Sequence, residues 1–303
     1  MSKIFVSGLI NIETTVKVRK FPIDYYPIDF PFFGVNSAVS GVAMNVAKAL
    51  KTLGDDVAII SMTGNDFESE KIFAELASIG IDTEYIRKCL AATPASAVLY
   101  DESGRRQIYC DLKNIQETEY GFDDEFADSD IVVACNINFN RELLRRAKEK
   151  GKIIATDVQV LSNINDDFNR EFLENADILF LSDELVSSDY PEFLRAISKK
   201  YKNKIIVLGM GDKGALMYTD NKFYQLSAVK VENIVNTVGA GDSLFSSFLH
   251  YYAKGAEPLE CLKKAEIFAS EKIKTNGAAK GFVSESTVDE LLKKTFIDVQ
   301  TFA

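Results

Sequence analysis

An α/β fold, a largely parallel sheet covered by helices with a small second sheet standing on it, is predicted by three observations. Strand-like and helix-like segments alternate along most of the 303 residues, as they do when helices cross between parallel strands. Apolar residues make up 47% and charged residues 26%, ample core material that rules out a disordered or low-complexity chain. Two stretches with β character interrupt the alternation.

The elements read in order. Lys3 to Ser7 is a short apolar run ending at Gly8. Ser40 to Leu53 repeats apolar residues at a helical period (Val42, Val46, Ala49, Leu50, Leu53), and Gly54 stops it. Val57 to Ser61 is a strand. Asp66 then caps a helix through Ile79, with Phe73, Leu76 and Ile79 on its apolar side and Gly80 ending it. Buried strands are expected at Ile131–Cys135, Lys152–Thr156, Ile178–Leu181 and Lys204–Leu208, with helices between them. Thr287-Val-Asp-Glu290 carries a capping-box pattern and opens a last helix.

The first interruption, Asn11 to Gly34, contains Thr14-Thr15-Val16-Lys17-Val18 and then a run of prolines and aromatics from Phe21 to Phe33. The prolines forbid a helix, and the aromatics need cover. The second, Ala95 to Asp111, reads as a hairpin turning at Asp101-Glu-Ser-Gly104. We therefore divide the chain into a nucleotide- and substrate-binding core (1–10, 35–94 and 112–303) and a β lid (11–34 and 95–111). The density of aromatics in the lid suggests a partner subunit, and so a homodimer.

Composition narrows the function. Subtracting 45 acidic from 35 basic residues leaves −10, which leaves no electrostatic footprint for nucleic acid or an anionic membrane. No apolar run approaches the ~20 residues that span a bilayer, and the N-terminus reads as a first strand and not as a signal peptide. Four dispersed cysteines with no CxxC pair argue against a zinc site or disulfides and for a reducing cytoplasm. His250 is the only histidine, which makes multi-histidine metal sites impossible.

The most informative segment is Asn236-Thr-Val-Gly-Ala-Gly-Asp242, followed by a helix with Leu244, Phe245, Phe248, Leu249 and Tyr252 on its buried side. Its Gly-Ala-Gly turn delivers the chain to a helix N-terminus, where backbone N–H groups attract an anion. A carboxylate at Asp242 would repel a phosphate there, but it suits a base that takes the proton of an attacking hydroxyl. Asp is also among the best N-caps. The local pattern leaves both readings open.

Asn236-Thr-Val-Gly-Ala-Gly-Asp242 resembles the D-T-x-G-A-G-D signature of the ribokinase-like (PfkB) carbohydrate kinases. Ser40-Gly-Val-Ala-Met-Asn45-Val-Ala with Leu53-Gly54 resembles that family's G-G-x-x-x-N-x-A…L-G segment. Gly8-Leu-Ile-Asn11-Ile-Glu13 resembles its G-x-x-N-x-D. The motifs occur in the family's order over nearly the whole chain. The resemblance implies a doubly wound core with a β lid, ATP and Mg2+ as cofactors, and phosphate transfer to a sugar or nucleoside. It makes Asp242 the catalytic base and the backbone of Gly239, Ala240 and Gly241 the anion hole. Asn11, Glu13, Gly41 and Asn45 match acceptor-contacting positions. An amide beside a carboxylate suits adjacent hydroxyls, as donor and acceptor.

Gly209-Met-Gly211-Asp-Lys-Gly214 spells a dinucleotide fingerprint, but a strand, an Asp-Asn turn and a strand follow where the fingerprint needs a helix. Gly211 and Gly214 instead resemble the family's loop beside the nucleotide, and Asn276-Gly277-Ala278 the loop near adenine. Three departures stand out. The family's magnesium-linked N-x-x-E segment appears only as Ser182-Asp-Glu184-Leu185, so Glu184 is a displaced metal candidate. Asn236 stands where an aspartate often helps hold a monovalent cation, which puts that cation in doubt. Glu13 is one methylene longer than the usual aspartate. His250 is expected at the surface or in packing. Lys17, Arg19, Lys20, Arg105 and Arg106 are expected as solvated lid charges. The rival reading is a non-catalytic binding or sensor protein of the same fold, and a sugar phosphate is the alternative acceptor.

Overall fold

The computed structural model describes residues 2–103 and 105–303, so Gly104 of the expected 101–104 turn lies outside the described residues. Along the chain, β1 (Lys3–Ser7), β2 (Asn11–Lys17) and β3 (Val35–Ser40) precede α1 (Val42–Leu53). Then come β4 (Asp56–Thr63), α2 (Phe67–Ser78), β5 (Ile86–Lys88), β6 (Ala95–Tyr100) and β7 (Arg106–Asp111). The second half runs β8 (Ile131–Ala134), α3 (Asn140–Glu149), β9 (Ile153–Val160), α4 (Arg170–Asn175), β10 (Ile178–Ser182), α5 (Tyr190–Tyr201) and β11 (Ile205–Gly209). It closes with β12 (Ala215–Thr219), β13 (Lys222–Leu226), α6 (Ala240–Ala253), α7 (Pro258–Lys272), α8 (Glu285–Leu292) and β14 (Val299–Phe302).

The large sheet has the order β14-β13-β12-β11-β10-β9-β8-β1-β4-β5. From β5 to β11 the neighbours are parallel, and β12 to β14 extend the sheet antiparallel. β1 lies between β4 and β8, so the chain winds away from it in both directions and makes the sheet doubly wound. Side chains alternate between its two faces. Ile4, Val6, Ile131 and Val133 join Leu50 of α1, Phe248 of α6 and Phe268 of α7. Phe5, Val132 and Ala134 join Leu144 of α3, Phe172 of α4 and Ile197 of α5.

Local chemistry sets the helix ends. Gly54 closes α1 in the left-handed conformation, and Asp66 caps α2 by accepting the Ser69 amide at 3.0 Å. α1 starts at Val42 and not at Ser40, because Ser40 still pairs with Asn11 in a sheet. The final helix begins one turn before the expected capping box, since Ser284 Oγ already accepts the Thr287 amide at 3.3 Å. That helix is not the last element, because β14 pairs with β13.

The lid is a separate four-stranded sheet in the order β3-β2-β6-β7. β2 pairs antiparallel with β3 and parallel with β6, and β6 pairs antiparallel with β7. The division at residue 35 is therefore corrected: Val35–Ser40 belongs to the lid sheet. Its sequence, Val-Asn-Ser-Ala-Val-Ser, is too polar and half-exposed to show a buried face. Residues 18–34 form neither helix nor strand, as their prolines require. Within this chain Tyr25, Phe32 and Phe33 stay 85–99% exposed. The four cysteines are free thiols, and no helix among the described residues is long and apolar enough to cross a membrane.

Glu266 on α7 is 7% exposed and meets no hydrogen-bond partner among the described residues. Burial pushes its carboxyl up to about 8, against ~4.3 in an unfolded chain. Its folded pKa is the raised one, so its contribution is intact below pH ~4.3 and is lost as pH rises toward 8. Glu266→Gln removes that loss. In urea unfolding the variant should match the parent at pH 4.5 and exceed it at pH 8.5 by roughly 2–4 kcal/mol. Parallel pH profiles for the two would show that Glu266 finds a partner in solution.

Candidate active site

The parallel strands end along one edge, at Ser7, Ala134, Val160, Ser182 and Gly209. Open sheets of this kind bind ligands beyond that edge, at the point where the winding reverses. Two helices begin there. The N-terminus of α1 is held just past β1, where Ala43 N–H donates to Leu9 O at 3.1 Å. Gly41 precedes it with φ 102°, and a Cβ at that position would sit 2.5 Å from Leu9 O. The N-terminus of α6 is shaped by Gly239 at φ 81°, where a Cβ would meet Ala278 O at 2.5 Å.

Asp242 lies in the first turn of α6 and is not its cap, because Gly239 fills the N-cap position. Its carboxylate instead accepts Asn45 Nδ2 of α1 at 2.6 Å, across 197 residues of sequence. Ser40 Oγ bridges onward, 3.4 Å from Asn45 Oδ1 and 3.3 Å from Glu13 Oε2. Asn11 and Glu13, two residues apart on β2, share a face of the lid. Asn11 Nδ2 donates to Ser96 Oγ at 3.0 Å, while the buried Asn11 Oδ1 has no partner among the described residues. The structure thus brings Asn11, Glu13, Gly41, Asn45 and Asp242 to one place.

The turn before α6 differs from expectation in one respect. Ala240 N–H is taken by Thr237 O at 3.1 Å. The Gly239 and Gly241 amides have no acceptor among the described residues, as the open start of a helix leads one to expect. Asn276 lies alongside, its Oδ1 accepting Asn236 Nδ2 at 2.8 Å, and Gly277 follows at φ 92°. Gly211 and Gly214 bracket a single turn between β11 and β12, where the Gly214 amide donates to Gly211 O at 3.1 Å. A strand and not a helix follows, so the dinucleotide fingerprint has no helix to serve it. The pairing of Ser182 with Gly209 places this turn next to Glu184.

Glu184, the displaced metal candidate, is paired with an arginine. Arg106 Nη2, from lid strand β7, lies 3.1 Å from Glu184 Oε1, and Nη1 donates to Thr237 Oγ1 at 3.4 Å. Arg106 lies on the edge strand of the small sheet and is exposed, as expected, but it is also paired. It spans from the lid to the segment before α6. No group of three or more acids, histidines or cysteines suited to a metal occurs among the described residues.

Sequence reasoning missed two charged residues. Asp157, near the end of β9, is buried, and burial, with the Asp242 charge adding to it, pushes its carboxyl up to about 7. Lys272, the last residue of α7, is fully buried with its charge toward Asp242 and Glu13, and burial draws its ammonium down to about 8. Burial likewise raises Asp242, against the pull of Asn45, Lys272 and Arg106, and it raises Glu13 against a bond from Ser40. A lone aspartate inside an apolar strand could have flagged Asp157. The polar sequence around Lys272 carries no such sign. His250 lies outside the cluster, packed inside the fold with Nδ1 2.8 Å from Asp55 Oδ2.

Such an arrangement can hold a polyol against amide and carboxylate, present an anion to a helix N-terminus, and accept a proton at Asp242. Known proteins resemble the chain over nearly its whole length. A deoxyribokinase of Salmonella typhi is 23% identical over 304 residues, covering 95% of this chain and 98% of the relative. A nucleoside kinase of Methanocaldococcus jannaschii is 22% identical, covering 97% and 98%. Among solved structures, a microbiome-derived acarbose kinase superposes with a TM-score of 0.86 at 21% identity, covering 96% of this chain and 99% of the other. The pattern of the pfkB family carbohydrate kinases matches residues 1–285, and the chain belongs to that family of kinases.

Proposed function

We propose that the chain transfers the γ-phosphate of ATP to a hydroxyl of an unphosphorylated ribofuranosyl compound, a free pentose or a nucleoside, with Asp242 as general base. The observation that carries this reading is the placement of Asp242 between Asn45 and the open amides of the α6 N-terminus. The acceptor hydroxyl gives its proton to the Asp242 oxygen as its own oxygen bonds to phosphorus, and the bond from phosphorus to the ADP oxygen breaks. The Gly239 and Gly241 amides face the charge on the transferring phosphoryl group. Burial keeps Asp242 more basic than an exposed aspartate, which suits a base working near neutral pH. The Gly211–Gly214 turn and Asn276-Gly277 border the nucleotide.

A magnesium ion arriving on the nucleotide needs only one or two protein carboxylates besides phosphate and water. Glu184 fits that need through Oε2, since Arg106 holds Oε1. When bound, the ion supplies charge neutralisation for the phosphates. Asn11 and Glu13 suit vicinal hydroxyls, and a carboxylate at Glu13 repels an acceptor that already carries phosphate. A non-catalytic sensor is not favoured, since the base, its partner and the amides are all in place. The exposed aromatics of the lid support a homodimer through that sheet, which light scattering on the purified chain would test.

Asp242→Asn keeps the shape and the contact with Asn45 but removes the base. Turnover should fall by about 10²–10⁴-fold, with nucleotide affinity little changed. Neutralising this carboxylate also relieves its repulsion toward Asp157 and Glu13, so the urea midpoint should not drop. Near-normal turnover would remove Asp242 from the chemistry.

The acceptor is tested by ADP release with ribose, fructose, adenosine, cytidine, uridine, pseudouridine and fructose phosphates at matched concentrations. Ribose or a nucleoside should turn over fastest, and Glu13→Ala should raise KM for that acceptor by tenfold or more, at about 1.4 kcal/mol per tenfold. Turnover of a phosphorylated hexose alone would hand specificity to the lid arginines and overturn the role given to Asn11 and Glu13.

A further inference from the structure

Lys272 sits at the C-terminus of α7 and is fully buried, an unusual place for an ammonium unless something nearby needs its charge. Its Nζ donates to the main-chain oxygen of Asn236 at 3.2 Å. Asn236 opens the segment that leads through Thr237 and Val238 to the Gly239–Gly241 turn. The side chain of Asn236 is already engaged: Oδ1 accepts the Val238 amide at 2.8 Å, and Nδ2 donates to Asn276 Oδ1 at 2.8 Å. The family resemblance places a monovalent cation beside this residue, with an aspartate to hold it. Here the residues do not fit one. A hard cation wants several oxygen donors, preferably charged. The charged donor is absent, the Asn236 carbonyl is taken by Nζ, and a cation entering the same space would meet the ammonium.

We propose that the Lys272 ammonium is a built-in replacement for that monovalent cation. It pins the Asn236 carbonyl, so the Gly239 and Gly241 amides stay aimed at the cleft, and it sets a fixed positive charge under Asp242 and Glu13. Lys272 is a positioning residue: it acts through the turn and not on the reacting atoms. Three features of the structure converge on this. The Asn236 main-chain oxygen, which a cation would need, is already bonded by Nζ. The C-terminal end of the α7 dipole favours a cation where Lys272 ends the helix. The carboxylates of Asp242 and Glu13 lie on the side toward which its charge is felt. As regards catalysis, the inference rests on the phosphotransfer reading above; as regards cation binding, it stands by itself.

The test compares potassium chloride with tetramethylammonium chloride at equal ionic strength, by thermal melting and by ADP release. For the unmodified chain, melting should differ by no more than about 1 °C and turnover by no more than about twofold, since no specific site is filled. Lys272→Ala opens the space. In tetramethylammonium its turnover should fall by about tenfold or more. Ammonium chloride, which resupplies the lost N–H donor and charge, should restore much of it and raise its melting temperature, with potassium chloride restoring less. Lys272→Met fills the space without charge and should stay impaired in every salt. A potassium-induced rise in melting or a large potassium activation of the unmodified chain would overturn the proposal. So would a Lys272→Met chain of normal turnover, or a folded Lys272→Ala chain that ammonium does not restore. If Lys272→Ala does not fold, the unmodified chain and Lys272→Met decide the matter. If no acceptor releases ADP, the phosphotransfer reading fails, and melting in the two salts still decides this one.

Discussion

The 2.6 Å hydrogen bond from Asn45 to Asp242 joins two helix N-termini that the winding of the sheet brings to one edge. α1 and α6 lie on the same face of the large sheet, and both start just beyond the strand ends. Neither helix could shift by a turn without breaking this contact. Gly41 lets α1 approach Leu9 closely, and Gly239 lets the start of α6 pass Ala278. Either position filled by a Cβ would push one partner away. The bond also reaches the lid, because β3 runs directly into α1 through Ser40 and Gly41. Ser40 thus links the lid residue Glu13 to Asn45 of α1.

Charge balance explains why the cleft tolerates three carboxylates. Glu13, Asp157 and Asp242 are each raised above the ordinary carboxylate range, and burial is the largest cause in every case. Placed together without counter-charge, they would protonate or swell the fold. Lys272 opposes the charge of Asp242 and Glu13 from the core and Arg106 that of Asp242 from the lid, while Asp157 has the raising effect of Asp242 beside its burial. A chain with a net charge of −10 must also attract a nucleotide of the same sign. The helix start, the lid arginine and the buried lysine make a local field that opposes the global one.

Much of the core was legible because short apolar runs of buried strands and helices with glycine stops announce themselves locally. Gly54 after α1 and Asp66 before α2 act as their residue types dictate. The lid was legible only in part. β3 is polar and half-exposed, so nothing in Val35–Ser40 separates it from a loop, and only its pairing with β2 makes it a strand. The role of Asp242 was undecided locally because a cap and a base share one residue type. Gly239 takes the N-cap position, and the Asp242 carboxylate instead meets Asn45, far away in sequence. Asp157 and Lys272 are charged groups whose meaning lies in their burial, a property of the tertiary packing that no window of sequence contains.

Arg106 shows how weak contacts can serve such a site. Its partner Glu184 keeps 59% of its side chain exposed, and an ion pair so open contributes only about 0–1 kcal/mol. A clasp of that strength cannot by itself hold the lid shut. The long 3.4 Å contact to Thr237 adds little. Strong closure therefore has to come from whatever fills the cleft. On the proposed reaction the incoming group is a phosphate, and an arginine binds a phosphate with shorter, charge-assisted bonds than it makes to an exposed carboxylate. On the proposed reading, the side chain that loosely bridges lid and core would gain its strongest partner only when the nucleotide is present. Closure of the lid would then follow the arrival of the phosphate, and would keep water out at the step where Asp242 takes its proton from the acceptor and not from solvent.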